Sequence, residues 1–224
     1  MTTSPDGQVQ DRPDGQAARE QASYDATPTP LRTLSALRSA LLRSAPRLGT
    51  GRLVCVDGPA GSGKTTLAGG LAEHVVTLGR RVVLLHMDDQ YEGWAGLDDA
   101  PHRVADHVLA PLAAGGAGRY RRYDWHRGGF AEEHVVAPVE DGDVVVLEGV
   151  GSGAVQVAPY RSLLVWVEAP AALRMRRGLE RDGAETETEW RAWTRSEAVH
   201  FAGHGTRAAA DVRVDAFGRI RSGR

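Results

Sequence analysis

Residues 58–66, GPAGSGKTT, combine residue types that together can bind a polyphosphate. The glycines let successive backbone N–H groups curl around an anion, while Lys64, Thr65 and Thr66 add a positive charge and two hydroxyl groups. The run fits the pattern G-x-x-x-x-G-K-[ST], with an apolar stretch before it and a helical pattern after it. This context predicts a P-loop, in which Lys64 reaches the β- and γ-phosphates of a nucleotide and Thr65 places its hydroxyl on Mg²⁺. The predicted nucleotide-binding residues are Gly58, Pro59, Ala60, Gly61, Ser62, Gly63, Lys64, Thr65 and Thr66.

Acidic residues follow two of the buried strands that the sequence predicts. VVLLHMDD ends in Asp88 and Asp89, and VVVLEGV contains Glu148. Ligands of open α/β sheets bind beyond the carboxyl ends of the strands, so we expect these side chains near the P-loop. A carboxylate at Asp88 can accept the proton of an attacking hydroxyl or contact a metal, and Glu148 can hold Mg²⁺ directly or through water. The alternative, most open for Asp89, is that these acids are solvated or cap the next segment.

A cluster of arginines lies in the segment AALRMRRGLERDG. Arg174, Arg177 and Arg181 are spaced i, i+3 and i+7, which places them on one face of a helix. Guanidinium groups stay charged and pair bidentately with phosphate oxygens, so these residues are candidates for a lid at about 170–190 that closes over a nucleotide. The alternative is a solvated basic face paired with nearby glutamates.

The elements that position these residues follow from the hydrophobic pattern. Short continuous apolar runs predict buried strands, and apolar residues at helical spacing predict helices. The predicted strands are 52–57, 80–89, 143–150, 162–169 and 210–215, with a short strand at 119–123, and the predicted helices are 31–46, 65–78, 101–114, 170–181 and 186–201. The alternation predicts a three-layer α/β fold of the P-loop NTPase, kinase-type class, with a largely parallel sheet of about five strands and a helical lid. The polar, proline- and glycine-containing composition of residues 1–30 predicts a disordered tail. Residues 31–224 are expected to form one domain.

The composition fits a soluble globular chain, with 224 residues, 42% hydrophobic and 25% charged. The formal net charge of −2 gives no basic surface for nucleic acid, and the single cysteine excludes a disulfide within the chain. The first residues lack the apolar segment of a signal peptide, and no apolar run approaches membrane-spanning length. We therefore expect a cytoplasmic protein without a nucleic-acid or membrane partner, and a homo-oligomer is compatible with the sequence.

The order of the motifs resembles that of the uridine kinase family. The P-loop, DDQY after the second strand, YDWH, VVLEGV and the arginine-rich helix follow one another as in uridine kinases, over residues of about 50–215. More distantly, the chain is similar to phosphoribulokinase and bacterial pantothenate kinase. The resemblance implies a P-loop kinase domain at 31–224 that uses ATP and Mg²⁺ to phosphorylate a hydroxyl of a small molecule, most nearly a nucleoside such as uridine or cytidine.

The same resemblance implies roles for individual residues. Asp88, three positions before Tyr91, takes the place of the family's general base, and Glu148 takes that of its metal-site acid. Tyr123 and His126 resemble the tyrosine and histidine that contact the nucleoside, and Tyr91 belongs to the same substrate-binding motif. The family's lid pattern implies phosphate contacts, and so a catalytic role, for three arginines. These are Arg174, Arg177 and Arg181.

Two departures from the family leave the acceptor open. His126 follows Tyr123 by three positions where the family usually has five, and YEGWAGLDDAPHR lacks the usual run around the ribose-binding aspartate. Trp94 and Trp125 flank the expected acceptor pocket and can contact a flat ring. A kinase acting on another alcohol, such as pantothenate, a sugar or a secondary metabolite, is one alternative. A non-catalytic module that binds ATP for regulation is another, whereas the sequence motifs of GTPase switches and transporter ATPases are absent.

Overall fold

The computed structural model of the chain describes residues 29–221. Of the predicted disordered tail at 1–30, all but the last two residues lie outside this range, as do residues 222–224 of the predicted domain. The domain bounds therefore stay predictions. Across the described residues, none of the helices combines the length and the apolar character that crossing a membrane requires.

The described chain alternates strands with helices along most of its length. The strands are β1 Arg52–Asp57, β2 Val82–His86, β3 Gly118–Asp124, β4 Gly129–Val136, β5 Val144–Glu148, β6 Leu163–Glu168, β7 Val212–Asp215 and β8 Ile220–Arg221. The helices are α1 Leu31–Arg43, α2 Lys64–Val76, α4 Ala171–Asp182, α5 Glu187–His204 and α6 Thr206–Ala209. Between them, α3 consists of Ala100–Val104, a π-helical turn Ala105–Leu109 and Ala110–Ala113.

The main sheet has six strands in the order β2-β5-β1-β6-β7-β8. The pairs β2–β5, β5–β1, β1–β6 and β6–β7 are parallel, and β8 is antiparallel to β7. The predicted largely parallel sheet is confirmed, with one strand more than expected because β8 has two residues and leaves no hydrophobic pattern. The predicted short strand at 119–123 is β3, which forms a separate two-stranded antiparallel sheet with β4.

Both faces of the main sheet are covered, which explains why its strands are continuously apolar. On β1, Leu53 and Cys55 belong to a buried cluster that includes residues of α3 and α5. The alternate residues Val54 and Val56 belong to a second cluster, with residues of α1 and α2. The sheet is therefore the middle layer of three, as the sequence predicts.

Helices α4 and α5 meet at a glycine in the region predicted as the lid. A Cβ built on Gly178 would lie 2.3 Å from a ring carbon of Trp190, so only hydrogen fits there. The indole Nε1 of Trp190 donates a hydrogen bond of 2.9 Å to Asp182 at the end of α4. A close contact and a directional bond thus hold the two helices together.

We predict that Gly178→Ala destabilises the protein by about 1–3 kcal/mol, because the added methyl group overlaps the Trp190 ring. The matched control is Gly69→Ala in α2, where a Cβ meets no atom within 4 Å. That variant should gain about 0.5–1 kcal/mol, since alanine is the better helix former. Urea denaturation of both variants measures the two changes. Equal stability of Gly178→Ala and the wild type would contradict the packing described here.

Candidate active site

The P-loop predicted at 58–65 connects β1 directly to α2. Its glycines adopt positive φ angles that favour glycine, 141° at Gly58, 75° at Gly61 and 102° at Gly63. A Cβ at Gly58 would lie 2.0 Å from the carbonyl oxygen of Val167, and one at Gly61 would lie 2.6 Å from that of Arg174. Both the backbone angles and the close packing against β6 and α4 therefore require these glycines.

Positive charge is concentrated at the loop. Helix α2 begins at Lys64, so the positive end of its dipole faces the loop. The ammonium group of Lys64 donates a hydrogen bond of 3.0 Å to the carbonyl oxygen of Pro59, which folds the side chain back along the loop. A glycine-rich loop that leads into a helix N-terminus and carries a lysine is suited to bind phosphate groups.

Glu148, at the carboxyl end of β5, lies next to the loop and connects three elements. Its Oε1 atom accepts a hydrogen bond of 3.2 Å from the hydroxyl of Thr65 in α2 and lies 2.6 Å from Nδ1 of His86 in β2. The hydrogen bond to Glu148 raises the pKa of His86, with smaller contributions from the charges of Asp89 and Asp88. His86 was missed at the sequence level, although a histidine ending an otherwise apolar strand is a detectable signal.

The oxygen atoms of Thr65 and Glu148 are the kind of donors that Mg²⁺ binds. Within residues 29–221, no group of three or more His, Cys, Asp or Glu side chains is arranged to hold a metal ion. The protein thus offers a metal two adjacent oxygen donors, which fits an ion that keeps several water ligands and shares phosphate oxygens.

The two adjacent aspartates after β2 differ sharply in environment. The strand ends at His86, earlier than predicted, and Asp88 and Asp89 lie in the 3₁₀ turn Met87–Asp89. Asp89 is buried and pairs with Nε of Arg122 in β3 at 3.1 Å, so it helps to attach the β3–β4 hairpin. Asp88 is exposed, and its carbonyl oxygen accepts a hydrogen bond of 3.1 Å from Trp125.

The three predicted arginines of α4 lie in different surroundings. Arg174 pairs with Glu197 at 2.8 Å, and its side chain is 12% exposed. Arg177 donates a bond of 3.3 Å to the carbonyl oxygen of Gly61, so it lies over the P-loop. Arg181 binds Asp182 through two bonds, of 2.7 and 2.9 Å.

The negative charges of two acids that follow strands, Asp88 and Glu148, act on Arg181. Its pKa is raised mainly by the hydrogen bonds to Asp182, and the negative charges of Asp88 and Glu148 raise it further. The fold therefore brings Arg181 into the same electrostatic field as Asp88 and Glu148. Among the described residues, hydrogen bonds join Glu148 to Thr65 at the start of α2 and Arg177 to Gly61 in the P-loop, so an acid and an arginine of the predicted site both contact the loop region.

The aromatic residues predicted to bind substrate are distributed between the core and the hairpin. Tyr91 is 2% exposed, and its hydroxyl donates a bond of 2.7 Å to the carbonyl oxygen of Val150. Tyr123 is nearly buried, with its ring 5.4 Å from that of Trp125, which lies 5.7 Å from the ring of Trp94. His126 is exposed in the turn between β3 and β4. Their roles in substrate binding stay predictions.

Asp57 is a buried acid that sequence reasoning missed. Located at the end of β1, it accepts hydrogen bonds from the amides of Gly58 at 2.7 Å, Gly153 at 2.8 Å and Gly151 at 3.1 Å. It therefore connects the P-loop to the loop that follows Glu148. Burial raises the pKa of Asp57 to about 6, against the opposing effects of these amides and of the Lys64 charge.

Comparison with known proteins relates the chain to one sequence family and to several solved structures. Residues 54–199, more than half of the chain, match the sequence family described as AAA domain. A solved structure described as a possible uridine kinase from Bacillus stearothermophilus is 20% identical, with a TM-score of 0.59, and the match covers 81% of this chain and 97% of that one. No curated protein matches the chain.

Two further solved structures are described as kinases of other kinds. A protein assigned as a fructose transport system kinase, from Silicibacter sp. TM1040, is 20% identical with a TM-score of 0.57, covering 76% of this chain and 94% of that one. D-glycerate 3-kinase from Cryptococcus neoformans var. grubii is 14% identical with a TM-score of 0.51, covering 93% and 99%. These likenesses confirm the predicted fold of the P-loop kinase type.

The buried carboxyl group of Asp57 predicts a measurable dependence of stability on pH. Its pKa in the folded protein, about 6, lies above its ordinary value of 3.8. Between pH 3.8 and about 6, the folded chain therefore binds more protons than the unfolded chain. The contribution of Asp57 to stability therefore falls as pH rises through this window. From pH 4.5 to 7.5, we expect the wild type to lose about 1–3 kcal/mol of unfolding free energy relative to Asp57→Asn.

Urea denaturation of both proteins across this pH range measures the difference. The other acids with shifted pKa values are present in both proteins, so their effects cancel in the comparison. A difference between wild type and Asp57→Asn that does not change with pH would contradict the raised pKa of Asp57.

Proposed function

The chain belongs to the AAA domain family and has the fold of the uridine kinase-like P-loop kinases, and from this premise we propose that it transfers the γ-phosphate of ATP to a hydroxyl group of a small molecule. The family resemblance predicted from the order of the motifs is thereby confirmed. The observation that carries the proposal is the shared location of three groups. The P-loop, the Thr65–Glu148 pair and the exposed Asp88 all lie at the carboxyl edge of the parallel sheet.

In the proposed mechanism, the chain acts mainly by positioning and by stabilising charge. Lys64 and the backbone amides at the start of α2 hold the phosphates, while Thr65 and Glu148 provide the oxygen donors for Mg²⁺. When bound, Mg²⁺ neutralises charge on the phosphates. Asp88 orients the acceptor hydroxyl and accepts its proton as the oxygen bonds to the γ-phosphorus, while the bond from that phosphorus to the β-phosphate oxygen breaks and ADP leaves.

The arginines of α4 supply the remaining positive charge. Phosphoryl transfer spreads negative charge over the oxygens of the transferred group, and a mobile cation can neutralise it. Of the three predicted arginines, Arg181 is the most exposed, and the negative charges of Asp88 and Glu148 act on it, so we assign this task to Arg181. Arg177 lies over the loop and can move onto a bound nucleotide.

We propose a nucleoside as the acceptor and the cytoplasm as the place of the reaction. Support for the nucleoside comes from the uridine kinase-like order of the motifs and from Tyr123 and Trp125 beside Asp88. A kinase acting on another alcohol is the alternative, favoured by the altered spacing of Tyr123 and His126. A regulatory ATP-binding module is disfavoured, since it has no need of an exposed Asp88 at this edge.

We predict that Asp88→Asn lowers kcat by about 10²–10⁴-fold, because an amide cannot accept the proton of the acceptor hydroxyl. Binding of a non-hydrolysable ATP analogue, measured by calorimetry with Mg²⁺, should be unchanged. The matched control is Asp141→Asn, an exposed aspartate in the turn before β5, at the opposite edge of the sheet. Near-normal kcat in Asp88→Asn would remove Asp88 from the base role.

A panel of acceptors tests the substrate class. ADP release should be stimulated most by uridine or cytidine, compared with fructose, glycerate and pantothenate at equal concentration. Stimulation by another alcohol alone would contradict the nucleoside proposal and leave the kinase reaction intact. Binding of ATP without stimulation by any acceptor would favour the regulatory module.

A further inference from the structure

We propose that Glu197 is a positioning residue of the nucleotide site, which fixes the P-loop and holds Arg174 as a support of that loop. Arg174 then differs from Arg177, which donates to backbone carbonyls, and from Arg181, whose partner is its neighbour Asp182 at the end of α4. This inference rests on the proposed function, because it describes how the same site is kept in shape. The sequence gives no indication of it, since Glu197 lies far along the chain from the loop.

The contacts of Glu197 engage both oxygens of its carboxylate. The residue lies in α5 and is 2% exposed. Oε2 accepts a hydrogen bond of 2.8 Å from the amide of Ala60, within the P-loop. Oε1 accepts one of 2.8 Å from Nη1 of Arg174 in α4. The buried side chain of Glu197 therefore connects α5, on which it lies, to the P-loop and to α4.

The guanidinium group of Arg174 makes its remaining contacts with the backbone around the loop. Nη1 also lies 3.3 Å from the carbonyl oxygen of Ala60, and Nε lies 3.3 Å from that of Ala169. The backbone of Arg174 packs so closely on Gly61 that no Cβ fits there. To reach a phosphate, Arg174 would have to leave a buried carboxylate without its partner, which is unfavourable in a site of low exposure.

Helix α5 also connects this ion pair to the acceptor side of the site. Trp193 lies one helical turn before Glu197, so the two share a face of the helix. Its ring is 4.9 Å from that of Tyr91 and 6.1 Å from that of Trp94. The packing that sets the position of α5 at the acceptor side thus also sets the position of the carboxylate that holds Ala60.

The test is a double-mutant cycle on nucleotide affinity. Glu197→Gln and Arg174→Gln should each weaken binding of a non-hydrolysable ATP analogue with Mg²⁺ by roughly 10-fold, because the loop loses its fixed geometry. The double variant should bind no more weakly than either single variant, since both act through one contact. In turnover assays, Glu197→Gln should raise the KM for ATP and leave the KM for the acceptor unchanged.

Additive effects in the cycle would overturn the proposal, as would an Arg174→Gln variant that loses kcat at normal nucleotide affinity. The matched control is Glu187→Gln in the same helix, whose exposed ion pair with Arg191 lies at the surface. It should bind the analogue like the wild type. A wild type that fails to bind the analogue would contradict the proposed function, whereas equal binding by wild type and Glu197→Gln contradicts this inference alone.

A second pair of substitutions keeps the test decisive if Glu197→Gln does not fold. Arg174→Met combined with Glu197→Leu removes both charges together, so no buried charge is left without a partner. This double variant should fold and bind the analogue roughly 10-fold more weakly, because Ala60 loses its acceptor. Binding equal to that of the wild type would overturn the role of Glu197.

Discussion

The parallel pairing of β1 between β5 and β6 is the constraint on which the whole site depends. Parallel strands bring their carboxyl ends to the same edge of a sheet, so the loop after β1 and the acid that ends β5 must meet. The register pairs Val56 with Glu148, and on the other side of β5 it pairs His86 with Glu148. A slip of one residue would turn Glu148 to the opposite face of the sheet and separate it from Thr65.

Three buried carboxylates then fix the loops at this edge. Asp57 binds the start of the P-loop and the loop after β5, Glu148 binds α2 and β2, and Glu197 binds the P-loop and α4. Each is compensated by backbone amides or by a side-chain donor, as buried charge requires. Because each partner comes from a distant part of the chain, the loop acquires its shape only when the layers have assembled. The exposed Asp88 stands outside this network, which leaves its carboxylate available for chemistry.

Local patterns were sufficient to predict the parallel sheet and the P-loop, because periodicity and glycine spacing are set by neighbouring residues. They were insufficient where the deciding contact is distant in sequence. The helical pattern around Glu197 gives no sign that its carboxylate reaches Ala60, and the spacing of the lid arginines cannot distinguish Arg174, paired with Glu197, from Arg181. Strand β4 was missed because its charged residues give no apolar run. The strand after α2 was predicted too long, because no glycine or proline separates it from the 3₁₀ turn that contains Asp88.

The most direct test of the account is a crystal structure with Mg²⁺ and a non-hydrolysable ATP analogue. The account predicts that residues 58–65 surround the phosphates, with the terminal phosphate on the side of the loop that faces the Asp88 carboxylate and Arg181. A triphosphate bound away from the loop, or a terminal phosphate turned into a cavity that Asp88 does not share, would contradict it.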